Sequence, residues 1–163
     1  MGLAFTFAEV RIDGPLKDDW DILLRLVGPF QVRLDGLTIY QEGEFCLVEF
    51  ASQLNVWIQS GPDLDFSYDS EESDVLGLLR FKKKHGGAWE ITFAHRSEKH
   101  LVPEADLKQA AQLYLTSLRK RLLPIVDLAE FLSAEMERMS RCSRGIPTGP
   151  KMTGVSTRRV KEE

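Results

Sequence analysis

The sequence predicts an α+β fold: a mainly antiparallel sheet of about six or seven strands packed against one internal helix and two C-terminal helices. Three observations carry that expectation. Short segments rich in aromatic and β-branched residues alternate apolar with polar positions, turn dipeptides separate them, and three other stretches adopt the 3.6-residue period of an amphipathic helix.

Phe5 to Ile12 reads as the first strand, closed by Asp13-Gly14-Pro15, which supply the positive and the fixed φ of a turn. Trp20 to Val27 reads as a second strand with apolar residues on both faces, the mark of a central position, and Gly28-Pro29 is its expected break. Phe30, Val32 and Leu34 then alternate with polar neighbours into Asp35-Gly36, a hairpin dipeptide, before Leu37 to Tyr40.

From Glu44 the period changes. Phe45, Leu47, Val48, Ala51, Leu54, Trp57 and Ile58 form one helical face, with Glu44, Glu49, Ser52 and Gln53 opposite, and the helix is expected to end near Ser60-Gly61. Leu64 to Asp69 alternates again, and Leu76 to Lys83 and Ala88 to His95 flank Lys84-His85-Gly86-Gly87 as a further hairpin.

Pro103 opens a helix with acids in its first turn and Arg119-Lys120-Arg121 in its last, complementing the helix dipole at both ends. Its apolar stripe is Leu107, Ala110, Ala111, Tyr114, Leu115, Leu118 and Leu122. Pro124 opens a second helix through Met136. Beyond Met139 the periodicity stops, which divides the chain into a single domain over residues 1–139 and a flexible basic tail over 140–163.

At 163 residues, 43% hydrophobic and 28% charged, the composition is that of an ordinary globular protein. No apolar run approaches the length a membrane helix needs. Cys46 and Cys142 are expected as free thiols, Cys46 packed in the core, which points to a reducing, cytoplasmic setting. Charge is divided unevenly. Residues 1–138 hold 15 Lys and Arg against 23 Asp and Glu, a balance of −8, while residues 139–163 hold 6 against 2, a balance of +4.

Nucleophilic catalysis needs a thiol or hydroxyl beside a base, and the histidines are only His85, His95 and His100, none in a recognisable motif. An enzyme using His95 as base with a nearby acid is the alternative kept open. Phosphate-binding glycine motifs are absent, and an EF-hand loop would require a Gly and a Glu at positions where the acidic stretch has neither. The sequence therefore predicts a non-enzymatic protein with no cofactor and no metal. Lys82-Lys83-Lys84 and the tail cations would suit phosphates, but an acidic body repels a nucleic acid. A nucleic-acid-associated regulator acting through the tail is a further alternative.

The densest chemical feature is acidic. Asp63, Asp65, Asp69, Glu71, Glu72 and Asp74 fall within twelve residues, interleaved with Phe66 and Tyr68. Asp63, Asp65, Tyr68, Asp69, Glu71, Glu72 and Asp74 are the candidate partner-binding residues, for a basic protein such as a nuclease toxin whose cleft must attract phosphate. The equal alternative is that these acids only keep the domain soluble.

The order Gly28-Pro29-Phe30-Gln31-Val32, then Glu44-Phe45-Cys46-Leu47-Val48-Glu49-Phe50-Ala51 leading to Trp57, then Asp65-Phe66-Ser67-Tyr68-Asp69-Ser70, resembles small bacterial domains of unknown function. Some of these are similar to immunity proteins of polymorphic toxin systems. The resemblance spans roughly residues 5–122, is one of organisation, and implies an immunity protein or antitoxin with no catalytic residues.

Overall fold

A computed structural model of the chain describes residues 2–61 and 63–144 and has the α+β architecture. Among the described residues the order is β1 (Leu3–Phe7), β2 (Arg11–Ile12), α1 (Asp19–Arg25), β3 (Leu26–Leu34), β4 (Leu37–Cys46), α2 (Leu47–Ser60), β5 (Phe66–Tyr68), β6 (Leu79–Lys83), β7 (Ala88–Phe93), β8 (Lys99–Pro103), α3 (Glu104–Leu122) and α4 (Leu128–Arg144).

The strands form two four-stranded antiparallel sheets where one was expected. In the first, β3 is the hub: β1 and β2 pair along one edge, through Phe5↔Val32 and Arg11↔Val27, and β4 pairs along the other, through Val32↔Tyr40. The second is a meander in chain order, β5-β6-β7-β8. Tyr40 of the first sheet stacks on Phe93 of the second with centroids 4.7 Å apart, and the Arg96 guanidinium lies over the Tyr40 ring.

The expected second strand is instead a helix followed by a strand. Asp18 caps α1 by accepting from the backbone N–H of Asp21 at 2.9 Å, and the Asp21–Arg25 ion pair spans one turn. Those local bonds, with acids in the first turn and a base in the last, outweigh the strand-like run of apolar residues. Gly28-Pro29 is no break either. Both lie inside β3, at a register shift between Gly28 and Phe30, the kind of irregularity where a strand accommodates proline. Gly28 is required there because a Cβ would sit 2.1 Å from the carbonyl oxygen of Glu9.

Helix α2 starts at Leu47, three residues later than the periodicity suggests, because Phe45 and Cys46 pair with Gly28 and Val27 in the sheet. Cys46 thus ends a strand rather than lying on a helix. The expected first strand splits into β1 and β2, and β8 was not foreseen. Helix α4 begins at Leu128 and runs through Ser140 to Arg144, so the first residues assigned to the tail, Cys142 among them, are helical; residues 145–163 lie outside the described residues.

Helix α2 occupies the middle of the core. The Phe50 ring lies 5.2 to 6.1 Å, centroid to centroid, from Phe5, Phe30, Phe45, Phe66, Tyr68 and Tyr114. Aromatic pairs at such spacing add about 1 kcal/mol each beyond the area they bury. Tyr114 of α3 donates its hydroxyl to the Leu47 carbonyl at 2.9 Å, locking α3 to the first turn of α2. Among the described residues no helix is long and apolar enough to cross a membrane.

Candidate functional site: an acidic loop clamped from beneath

Helix α2 carries two polar residues one turn apart, Glu49 and Gln53, that face the segment after β5. Glu49 is only 4% exposed, in the first turn of the helix, where the dipole favours a carboxylate. Its Oε2 accepts the hydroxyl of Tyr68 at 2.9 Å and its Oε1 accepts the backbone N–H of Glu71 at 2.8 Å. Gln53 repeats the arrangement with its amide, donating Nε2–H to the Asp69 carbonyl at 2.8 Å and accepting the Asp69 N–H at 3.3 Å. Helix side chains thus give the backbone of Asp69 and Glu71 the bonds that a neighbouring strand would otherwise supply.

Side chains of the loop complete the clamp. Asp69 Oδ1 accepts the N–H of Gly77 at 2.5 Å, joining the two ends of the loop, and Ser70 Oγ and Ser73 Oγ accept from Glu72 and Val75. Gly77 has φ 66, a conformation that glycine adopts without strain. Upstream, Asp65 accepts the backbone N–H of Lys83 at 2.9 Å and Asp63 pairs with the Lys83 ammonium, which holds the Asp63 carboxyl below its ordinary range.

The seven predicted residues therefore divide. Tyr68 is 1% exposed and points inward, so it does not stand on the surface with the acids. Asp63, Asp65 and Asp69 are exposed, but their carboxylates hold the chain. Glu71, Glu72 and Asp74 are exposed, and among the described residues no ion pair engages them. Glu49, Gln53 and Ser52 were expected on the solvent side of the helix; Glu49 and Ser52 are buried and Gln53 is half-buried. Nothing in the local pattern separates such a glutamate from a solvated one, because its partners lie about twenty residues downstream.

Cys46 packs beside this cluster, its Sγ 3.7 Å from the Leu24 carbonyl oxygen. Burial, and then the neighbouring Glu49 carboxylate, push its thiol from 9.0 up to about 11. A thiol held protonated is a poor nucleophile. His95 lies exposed at φ 60 in the turn between β7 and β8, and among the described residues it makes no hydrogen bond to a carboxylate. His85 is exposed in a 3-10 turn, and His100 packs against Phe93 with centroids 6.1 Å apart. Of the lysine run, Lys83 pairs with Asp63 and Lys84 with Glu90. Among the described residues no group of three or more His, Cys, Asp and Glu side chains is placed to hold a metal ion.

The fold defines an α+β protein of two antiparallel sheets built around one core helix, with an acidic loop fastened to that helix. The chain belongs to the family described as Domain of unknown function (DUF7878), whose model matches residues 3–124, from β1 to just past α3. No curated protein and no solved structure matches it.

Proposed function

We propose that the protein is a non-enzymatic binding module whose acidic loop engages a basic protein, most concretely a bacterial toxin that it neutralises as an immunity protein or antitoxin. The observation that carries this reading is the combination of display and restraint: Glu71, Glu72 and Asp74 are exposed, and the loop that bears them is fastened from beneath, at Glu71 by Glu49 and at Asp69 by Gln53. A loop already held in one conformation loses little entropy when it binds, so its charge is available for complementarity. Merely solubilising acids would need no such anchoring.

Affinity capture from the native host, using the wild-type protein and a Glu71→Lys, Glu72→Lys, Asp74→Lys triple variant, tests the proposal. One dominant basic protein is expected with the wild type and lost with the variant, at an unchanged unfolding midpoint. Equal capture by both proteins, or no dominant partner at all, refutes it.

A further inference from the structure

Helices α2, α3 and α4 leave a groove between them of about 500 Å³, within the size range of small-molecule sites. Each helix contributes side chains one turn apart: Asn55 and Gln59 from α2, Leu115 and Arg119 from α3, and Leu128, Leu132 and Met136 from α4. The floor is apolar and the rim polar. Arg119 is the one charged residue in the lining, and among the described residues no acid pairs with it. Asn55 donates its amide to the Met136 thioether at 3.2 Å, and sulfur is a weak acceptor. The groove thus pairs a cation and an underused amide donor with an apolar wall.

We propose that this groove binds small amphipathic carboxylates, the anion held by Arg119 and Asn55 and the hydrocarbon laid on Leu115, Leu128, Leu132 and Met136. A guanidinium and an amide N–H match the acceptors of a carboxylate, and bonds to a charged acceptor are the stronger ones. Leu128 to Met136 spans roughly 12 Å at the helical rise, which suits a single alkyl chain of medium length better than a docked helix. The site is independent of the acidic loop, and α4 lies beyond the part of the chain that the family model covers.

The test is calorimetric titration of the full chain with decanoate below its micelle threshold, with 1-decanol and acetate as controls. Saturable decanoate binding is expected, with decanol and acetate at least tenfold weaker. Arg119→Gln should lower decanoate affinity at least tenfold, and Ser133→Trp, which fills the groove from its exposed rim, should abolish binding at an unchanged unfolding midpoint. Absence of saturable binding, equal binding of decanol, or wild-type affinity in either variant overturns the proposal.

Discussion

Tyr68 Oη and Glu49 Oε2 lie 2.9 Å apart in the interior, a phenol donating to a carboxylate that also accepts the N–H of Glu71. Among the described residues no cation pairs with Glu49, so this carboxylate depends on two donors and on the dipole of α2. Tyr68→Phe should cost about 2 kcal/mol, in the range for a hydrogen bond to a charged group. Glu49→Ala should cost more, about 3 kcal/mol, because the buried Tyr68 hydroxyl and the part-buried Glu71 N–H lose their acceptor together. Urea unfolding of both single variants and the double variant checks this. Additive costs would mean that the pair is not coupled.

The same clamp makes a dynamic prediction. Removing Gln53, as Gln53→Ala, frees both backbone groups of Asp69. Amide exchange at residues 69 to 77 should then accelerate while the Phe50 and Tyr114 amides keep their protection, because local opening need not cross the global barrier. Unchanged exchange in the loop would show that Glu49 and the loop's own side chains hold it without Gln53.

Asp69 and Glu72 should behave differently under substitution although both are exposed acids. Asp69 Oδ1 holds the Gly77 N–H, so Asp69→Ala should destabilise the fold by about 1 kcal/mol or more. Glu72→Lys should leave the unfolding midpoint within about 0.5 kcal/mol of wild type, as for surface changes away from structural bonds. Matched denaturation curves decide it, and they also identify Glu72 as the cleaner probe of the proposed binding.

Alkaline pH should loosen the fold. Burial pushes the Cys46 thiol up to about 11 and the Tyr68 and Tyr114 phenols well above their ordinary range, in Tyr68 with help from Glu49. Each group is neutral in the fold and ionises more readily when unfolded. Its stabilisation is therefore complete below its unfolded pKa and is lost as pH rises towards the folded value. For Cys46 that window opens at 9.0 and closes near 11. The urea midpoint should fall between about pH 9 and about pH 11, and Cys46→Ala should remove part of the slope. A midpoint independent of pH across that range would contradict the buried, protonated state of these groups.

Gly28 offers a steric test. With the Glu9 carbonyl oxygen 2.1 Å from where a Cβ would stand, Gly28→Ala must push β3 away from the chain between β1 and β2. A cost of about 3 kcal/mol is expected, at the upper end for overpacking a tight interior. Thermal unfolding measures it, and a neutral substitution would place the Glu9 backbone elsewhere.

Legibility followed the range of the interactions. Asp35-Gly36 announced the β3–β4 hairpin, and the charges at its two ends announced α3, because both signals are local. The residues of α1 misled because Trp20 to Val27 satisfies a strand pattern; Asp18, Asp21 and Arg25 carried the competing helix signal. Strand β8 escaped because its exposed Leu101 is as apolar as its buried Val102, so the alternation of burial does not show in the residue types. The acidic residues of the loop were visible at once, whereas the clamp was not. Glu49 looks like any polar helix residue until the fold brings Tyr68 and Glu71 against it.

The loop divides its labour by residue. Glu49, Gln53, Tyr68 and Asp69 determine where the backbone runs, and Glu71, Glu72 and Asp74 determine what the loop shows to solvent. A lineage could exchange the second set freely while the first stayed constant, so the charge of this surface could be rewritten with new letters at three positions. The same separation makes the segment a site for grafting, where a designer can rewrite the exposed side chains without rebuilding what carries them.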